Sequence, residues 1–391
     1  MTGTDLWRKA EALLPKLKER APKCEQLRRL PDETLRDFHD AQLFRIHQPK
    51  RVGGAELEFA AVVTYGALFA RVCASTAWNW VNFAAHHMML GMFPPQAQDQ
   101  IWGKSRDALI ASSFVFPAGK ARKVQDGYLL SGRWPFSSGV DPSEWNMLAG
   151  LARLDDNLPP EQRIFLVPRS EYKVLDTWHA GGLRGTGSND VVVDNAFVPG
   201  HRALSFTGVT KIACPGHQVN PGPLYRIPFG SIFSYAITTP IIGMATGAYA
   251  AHVDYQRQRV RASYVGQRSA EDPFAQVRIA EAAALIDAAW LALERDMTEL
   301  MGLATSNEKI PLPLRLRTRR DQVTGTGQAI RAVDLLFENS GGRALKLGTP
   351  IQRFWRDAHA GRVHAINDPE RALSTFGRGE LGHDMPPDAM F

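Results

Sequence analysis

A chain of 391 residues, 44% of them hydrophobic and 22% charged, can bury a substantial core and is longer than a typical single domain. Its three widely spaced cysteines (Cys24, Cys73 and Cys214) argue against a disulfide framework and a zinc site, and they fit a reducing cytoplasm. The formal net charge of +6 is accompanied by no signature of a nucleic-acid-binding module, so we expect a protein of two or three packed regions that binds no nucleic acid.

The N-terminal region has the spacing of helices. Apolar residues recur at helical intervals from Leu6 to about Trp102, and Pro31, Asp32 and Glu33 place a proline and two acids in a first turn. The opening stretch is charged throughout and lacks the apolar core of a secretory signal, which predicts a cytoplasmic protein. We predict an N-terminal α-helical domain over residues 1–105.

The pattern then changes to short runs of alternating or β-branched residues. Examples are "GYLLSGRW", "RIFLVP" and "NDVVVDNAFV", separated by Gly, Pro, Asn and Asp. We predict a central β-domain over residues 106–215.

Helical spacing returns after the Pro- and Gly-rich connection from Cys214 to Pro228 and predicts a C-terminal helical domain over residues 216–391. The uncharged stretch from Ile227 to Val253 could span a bilayer by its length. Its Ser, Thr and Gly content and the lack of a second such stretch favour a helix buried inside a bundle. The basic run from Arg315 to Arg320 is interpreted as a solvated helix face or subunit contact in preference to an anion site.

Two polar stretches in the β-domain are candidates for a binding site. They are "RWPFSSGVD", with Ser137 and Ser138, and "GGLRGTGSND", in which four glycines alternate with Arg184, Thr186 and Ser188. A tight β-turn is the favoured explanation for each from composition alone. The second stretch lacks the strand-turn-helix setting of a phosphate-binding loop.

Histidine spacing argues against metal. His86 and His87 are adjacent and point about 100° apart on a helix, and the gap of five between His359 and His364 does not stack the two rings. No G-x-S-x-G elbow is present, which disfavours a Ser-His-Asp hydrolase. On a continuous helix, Asp368 lies one turn after His364 and could orient it as a general base, with an ordinary surface ion pair as the alternative.

Six stretches spread along the chain form a recognisable set: "STAW", "SSGVD", "GLRGTGSND", "RVRASYVG", "RDAHAGRVHA" and "NDPERA". With them the chain resembles, over nearly its full length, the oxygenase components of two-component flavin-dependent phenol monooxygenases built on the acyl-CoA dehydrogenase fold. Within that family it is most similar to the branch that ortho-hydroxylates a phenolic seco-steroid in steroid degradation.

This resemblance implies an α+β, mainly α, fold with an N-terminal helical domain, a central β-barrel and a C-terminal four-helix bundle, assembled as a homotetramer. It implies reduced FMN or FAD between barrel and bundle, supplied by a separate NAD(P)H-dependent reductase. Reduced flavin and O₂ would give a C4a-hydroperoxide that turns a phenol into a catechol. The protein would deprotonate or polarise the phenol, exclude water and orient the ring.

The resemblance also implies roles for single residues. His364 would be the base toward the phenol with Asp368 as its orienter. The hydroxyl that approaches flavin N5 would come from Ser137, with Ser138 as the second choice. Further flavin contacts are implied for Trp78, Ser112, Ser113, Arg261, Gly341, Gly342 and His364 itself, Arg261 reaching the phosphate from a neighbouring subunit. Substrate contacts are implied for His86, Ser113, Thr186 and Ser188, with a core position as the alternative for His86.

Two alternatives remain open. An acyl-CoA dehydrogenase or oxidase needs a carboxylate base, often in a "YEGT" stretch where this chain has His364 and Ala365, although some dehydrogenases carry that glutamate elsewhere. A flavin-independent helical scaffold is the non-enzymatic alternative. Departures from the steroid branch in "SSFVFPAGKA" and "NWVNFAAHHMM" leave another bulky phenol or an indole-like aromatic open as the substrate.

Overall fold

The computed structural model describes residues 3–155, 157–261 and 266–386. Five helices come first: α1 (Gly3–Leu27), α2 (Asp32–Asp40), α3 (Ala60–Ala70), α4 (Ala74–Leu90) and α5 (Pro95–Trp102). Helix α2 begins at Asp32 directly after Pro31, so the helix start predicted from these residues is confirmed.

The middle of the chain forms one eight-stranded sheet. Its strands are β1 (Ile110–Ser113), β2 (Gly119–Val124), β3 (Gly127–Ser137), β4 (Trp145–Arg153), β5 (Glu161–Pro168), β6 (Lys173–Leu175), β7 (Asn189–Pro199) and β8 (Ala203–Ser205). The order across the sheet is β6-β7-β3-β2-β4-β5-β8, with β1 paired in parallel to β4. Because β3 pairs with β7 from Gly127 to Ser137, the end of β3 and the start of β7 become neighbours.

Alternation along the strands separates two apolar cores. In β5, Ile164 and Leu166 belong to the core shared with the helices, while Phe165 and Val167 face a second core enclosed by the sheet around Trp134. Successive side chains of a strand point to opposite faces, so a strand covered on both faces reads as a continuous apolar run. The sheet is thereby fixed against the helical part of the protein.

The C-terminal part is a helical bundle. Its helices are the short α6 (Phe206–Thr210), then α7 (Phe229–Gln258), α8 (Pro273–Thr305), α9 (Leu312–Ser340), α10 (Pro350–Arg362) and α11 (Pro369–Glu380); two short strands, β9 (Val260–Arg261) and β10 (Gln267–Arg268), pair between α7 and α8. Helix α9 packs on α7, α8, α10 and α11, and α7 also packs on α8 and α10. The structure contains helices, a sheet and helices in the predicted order, and the domain boundaries at residues 105 and 215 stay predictions.

Helix α7 is the uncharged stretch singled out in the sequence. It is the one described helix long and apolar enough to cross a membrane, and 89% of its most apolar window is buried inside the protein. Its hydroxyls bond internally: Thr239 donates to the Tyr235 carbonyl at 2.6 Å, and Thr238 pairs with Thr326 of α9 at 3.0 Å. The interpretation as a core helix is confirmed, because neighbouring helices satisfy both its apolar and its polar groups.

Candidate active site

A cavity of about 760 Å³ lies where the sheet meets the bundle, a volume within the usual range for small-molecule sites. Helix α4 contributes Trp78 and Asn82, and α7 contributes Phe229 and Phe233. The sheet contributes the ends of β1 and β3 and the loop before β7, and the segment around His364 closes the cavity from the bundle side. Three parts of the chain that are far apart in sequence therefore enclose one space.

The serine pair at the end of β3 splits into two environments. The β3–β7 ladder shifts register between Trp134 and Ser137, which changes the face to which the following side chains point. Ser137 is fully buried and its Oγ accepts a hydrogen bond from Asn146 Nδ2 at 2.9 Å, whereas Ser138 is the member of the pair that lines the cavity among the described residues. Of the two implied N5 partners, the geometry favours Ser138.

Two glycines of "GGLRGTGSND" allow close packing. A Cβ on Gly182 would lie 2.2 Å from the carbonyl oxygen of Arg356 in α10, and a Cβ on Gly185 would lie 2.3 Å from Sγ of Cys24 in α1. The loop is further held by Asp357, whose Oδ1 accepts from the Leu183 amide at 2.7 Å. Its central residues, Arg184–Thr186, form a short 3-10 turn, so the β-turn expected from composition is replaced by a turn docked between two helices.

Three hydroxyls from this loop and the β3 end form a chain. Ser138 Oγ lies 2.7 Å from Ser188 Oγ, which lies 2.7 Å from Thr186 Oγ1, which donates to the Leu183 carbonyl at 2.8 Å. All three hydroxyl residues line the cavity. They give the sheet side of the cavity a polar wall.

His364 lies on the opposite side. It follows the end of α10 and caps a 3-10 turn (Ala365–Asn367), with its Nδ1 accepting a hydrogen bond from the Ile366 amide at 3.2 Å. The ring meets Trp78 and Phe233 edge-on, with centroids 6.0 and 5.8 Å away. Burial lowers the pKa of His364 to about 4, so the ring is neutral at ordinary pH.

The hydrogen bond at Nδ1 fixes the tautomer. A neutral imidazole has one donor and one acceptor nitrogen, and an Nδ1 that accepts from an amide leaves the hydrogen on Nε2. Nε2 is then the ring nitrogen available to a ligand, and it is a donor. This geometry argues against the base role, which requires an unprotonated nitrogen facing the phenol.

The turn that carries His364 is tied to two helices. Asn367 donates from Nδ2 to the Gly361 carbonyl at 2.9 Å, and its Oδ1 accepts from Gln322 of α9 at 2.7 Å and from Thr238 of α7 at 3.2 Å. Arg319 of α9 donates to the Ile366 carbonyl at 3.1 Å. These buried contacts set the position of the His364 backbone.

Asp368 caps a helix, whereas its helical spacing from His364 had predicted that it orients the histidine ring. The helix assumed across positions 364 and 368 is interrupted, because Asp368 precedes Pro369 and adopts an extended conformation. Its Oδ1 accepts from the amides of Glu370 and Arg371, at 3.1 and 3.3 Å, and so caps α11. It lines the cavity as a helix cap, and the expectation that it orients the His364 ring is corrected.

Other residues singled out in the sequence divide into two groups. Trp78, Ser112 and Ser113 line the cavity, and Ser113 Oγ donates to the Pro135 carbonyl at 2.7 Å. His86 is outside the described lining: its Nδ1 hydrogen-bonds to the Ile110 carbonyl at 2.6 Å, and its ring packs at 90° against that of Phe114.

Two further positions implied to contact flavin do not meet the cavity within this chain. Gly341 and Gly342 follow the end of α9 and are outside the described lining, with Gly341 beside the Arg259 guanidinium. The side chain of Arg261 lies outside the described part of the chain.

An aromatic cluster at the cavity was not found from the sequence. Phe229 and Phe233 stack with centroids 5.5 Å apart, and Phe114 meets both edge-on. Phe206 completes the group against Phe229. The i, i+4 spacing of two phenylalanines in "IPFGSIFSY" is the one sequence pattern that indicates this cluster, but a helix face buried in the core has the same spacing. Such a wall excludes water and accepts an aromatic ring.

The described residues form no group of three His, Cys, Asp or Glu side chains able to hold a metal ion. The cavity does suit a flavin, because it combines a flat aromatic lining with hydroxyls and a neutral imidazole that can meet polar ring atoms. Helices, a sheet and a bundle around such a cavity define a flavoprotein of the acyl-CoA dehydrogenase fold. In agreement, residues 235–369 match the family described as acyl-CoA dehydrogenase, C-terminal domain.

Similar proteins identify a narrower group within this class of flavoproteins. The flavin-dependent monooxygenase oxygenase subunit HsaA of Rhodococcus jostii is 47% identical over 374 residues, or 95% of this chain and 97% of its own. The crystal structure of 3-HSA hydroxylase from Rhodococcus sp. RHA1 matches with a TM-score of 0.94 and 45% identity over 98% of both chains. The oxygenase component of an FADH₂-dependent resorcinol hydroxylase from Rhizobium is 35% identical, over 93% of this chain and 90% of its own.

The chain belongs to the family of oxygenase subunits of two-component flavin-dependent monooxygenases. It is an aromatic monooxygenase that uses reduced flavin, and its partner is a separate component that provides that flavin. The dehydrogenase alternative is thereby set aside, in keeping with Ala365 at the position where a glutamate base would stand.

Proposed function

We propose that this enzyme hydroxylates a bulky phenol, of the size of a phenolic seco-steroid, ortho to its hydroxyl group. The observation that carries the proposal is the lining of the cavity, in which a row of hydroxyls, a neutral histidine and several aromatic side chains border one space. Relatives named for 3-HSA and for resorcinol support a phenol as the substrate. Bound reduced flavin supplies the electrons with which O₂ is activated.

His364 is proposed to donate from Nε2 to the phenol oxygen. Transfer of a proton from a phenol with a pKa of about 10 to an imidazole with a pKa of about 4 would cost on the order of 8 kcal/mol of free energy. Donation from Nε2 avoids that transfer, and it would stabilise the oxygen of the phenolate after the phenol has lost its proton to water. His364 would thus orient and polarise the phenol without taking up its proton.

Ser138 is proposed as the hydroxyl nearest flavin N5, and Trp78, Ser112 and Ser113 as further flavin contacts. Phe114, Phe229 and Phe233 would then surround the substrate ring and keep water from the reacting atoms. His86, behind Phe114, is proposed to fix that side chain through packing.

The size of the substrate is tested with a panel of phenols. Purified enzyme, a flavin reductase, NADH and FMN or FAD would be incubated with phenols of one, two and three fused rings, and catechol and H₂O₂ would be measured. We expect the amount of catechol formed per NADH consumed to rise with the number of rings, because a larger phenol fills more of the cavity. If a one-ring phenol such as resorcinol gave the highest yield of catechol per NADH, the proposal of a bulky substrate would be refuted. If every phenol gave H₂O₂ and no catechol, the proposal of a phenolic substrate would be refuted.

The chain is further proposed to form a homotetramer in which α8 contributes to a subunit contact. Phe274, Val277 and Leu291 on α8 are exposed in the single chain, with Phe274 76% accessible. Apolar residues along one helix stripe indicate a covered face. Arg261 is proposed to reach the flavin phosphate of a neighbouring subunit across this assembly. Light scattering should give four chains for the wild type and fewer for Phe274→Asp, and a wild-type monomer would contradict this.

We propose that the reductase is NAD(P)H-dependent and passes flavin by diffusion, and that both proteins act in the cytoplasm. The three cysteines are free thiols buried in the fold, as suits a reducing compartment.

A further inference from the structure

The hydroxyl chain beside the cavity has only one consistent arrangement of its protons. The Leu183 carbonyl oxygen has no hydrogen, so Thr186 Oγ1, 2.8 Å away, must donate to it. Each hydroxyl has a single hydrogen, and therefore Ser188 must donate to Thr186 across their 2.7 Å contact. Ser138 must in turn donate to Ser188, also at 2.7 Å. The Ser138 oxygen consequently presents only lone pairs to the cavity.

The backbone around this chain holds the three hydroxyls in place. The Thr186 carbonyl accepts from the Gly139 amide at 2.9 Å and from Asn79 Nδ2 at 3.2 Å, which joins the Ser138 turn to the loop. Gly139 has φ of 70°, and a Cβ there would lie 2.5 Å from the Phe83 ring. These buried contacts hold the three hydroxyls at their spacing, and the Leu183 carbonyl sets the direction in which they donate.

We infer that Thr186 and Ser188 are positioning residues that make Ser138 an obligate acceptor and so make the cavity select reduced over oxidised flavin. This rests on the proposed function, in which flavin N5 meets Ser138. Reduced flavin has a hydrogen on N5 and can donate to the Ser138 oxygen. Oxidised flavin has a lone pair on N5, which would face the lone pairs of Ser138 with no hydrogen between them.

Removing a link frees the Ser138 hydrogen. In Thr186→Val, Ser188 loses its acceptor, so it can donate to Ser138, and Ser138 can donate to oxidised N5. In Ser188→Ala, Ser138 is released directly. One exchanged hydrogen bond changes an equilibrium by about tenfold. We therefore expect the ratio of the oxidised to the reduced FMN dissociation constant to fall about tenfold in both variants.

The test uses the purified full-length protein without reductase or substrate. Oxidised FMN is titrated by fluorescence, reduced FMN by anaerobic ultrafiltration, and the midpoint potential of bound FMN is measured independently. The tenfold fall in the ratio corresponds to a potential lower by about 30 mV for a two-electron couple. Thr186→Ser is the matched control, since it keeps the hydroxyl and should keep the wild-type ratio.

The outcomes separate this inference from the proposed function. If the wild type binds neither form of FMN or FAD, the flavin site itself is refuted. If the wild type binds FMN but both Thr186→Val and Ser188→Ala keep the wild-type ratio and potential, the inference is overturned and the flavin site stands. A fall in Thr186→Ser as large as in Thr186→Val would also overturn it, because packing would then be the cause. Ser188→Ala decides the matter if Thr186→Val does not fold.

Discussion

At the scale of single residues, the chemistry of the site depends on which nitrogen of His364 bears the hydrogen. The Ile366 amide occupies Nδ1, and Arg319 and Asn367 hold the turn that supplies this amide. The ring therefore meets a ligand as a neutral donor. Burial reinforces this state, because it lowers the pKa of the ring to about 4.

Replacing His364 distinguishes a donor from a base. His364→Ala should reduce kcat/KM about 10²- to 10³-fold, the usual effect of removing a hydrogen bond to developing negative charge. His364→Gln should retain at least tenfold more activity than His364→Ala, because the glutamine amide can donate from a similar place. Product formation by both variants would be measured by chromatography. Their dissociation constants for reduced flavin should stay within about threefold of the wild-type value. Equal loss in the two variants would favour the base.

The lowered pKa of His364 predicts a pH profile without a histidine inflection. A base with an ordinary histidine pKa near 6.5 would give an inflection in kcat/KM between about pH 6 and 7. With the His364 pKa at about 4, the ring is neutral throughout the range from pH 5.5 to 8. Rates measured across that range should show no rise with a histidine pKa, and such a rise that disappears in His364→Gln would contradict the donor role.

At the scale of elements, the site depends on how the loop before β7 docks onto α10. Gly182 sits against the backbone of Arg356, and Asp357 of the same helix accepts from the Leu183 amide. The helix that leads to His364 is therefore in direct contact with the loop that carries the hydroxyl chain. The two polar walls of the cavity are placed relative to each other by this contact.

Two adjacent glycines test that contact. Gly182→Ala puts a Cβ 2.2 Å from the Arg356 carbonyl oxygen, a backbone atom that cannot yield cheaply, whereas a Cβ on Gly181 would meet nothing within 4 Å. Gly182→Ala should lose about 1–3 kcal/mol of unfolding free energy and weaken flavin binding. Gly181→Ala should match the wild type in urea unfolding. Similar stability of both variants would show that the loop is not docked as described.

Sequence patterns located these elements better than they located the turns between them. The uncharged composition of α7 identified a buried helix, and the order of helices and strands followed from periodicity. The break between α10 and α11 was missed because one helical stripe through His364 and Asp368 looked continuous, although Pro369 was visible in the sequence. Ser137 and Ser138 could not be assigned to their environments, since a register shift in the β3–β7 ladder decides which side chain faces inward.

At the scale of the whole molecule, several histidines are buried as neutral rings in the interior. Burial lowers the pKa of His47, His86, His252 and His364 to about 4 and that of His87 to about 3. An unfolded histidine takes up a proton as the pH falls below about 6.5, whereas these folded ones stay neutral to about pH 4. The unfolded state binds more protons in this window, so the protein loses stability as the pH falls through it.

Urea unfolding at pH 7.5, 6.5 and 5.5 measures this effect. We expect unfolding free energy to be nearly constant above pH 7 and to fall by several kcal/mol on reaching pH 5.5, with each buried histidine contributing on the order of 1 kcal/mol per pH unit. Asp357 acts in the opposite direction, because burial raises its pKa to about 6 and the folded state therefore binds this proton at a higher pH than the unfolded state does. Burial also raises the pKa of Asp141 and Asp296, but these carboxyl groups are outnumbered by the histidines whose pKa burial lowers. Constant stability down to pH 5.5 would contradict the described burial, and His179→Gln, at an exposed site, serves as the control.

The most direct test of the enzyme's function is a single turnover with labelled oxygen. Enzyme loaded with reduced flavin under anaerobic conditions would be mixed with a multi-ring phenol and ¹⁸O₂, and the product would be analysed by mass spectrometry. We predict a catechol with one ¹⁸O atom at the ortho position, formed by the wild type and nearly absent in His364→Ala. Unchanged phenol with a full yield of labelled H₂O₂, or a product whose added oxygen comes from water, would contradict it.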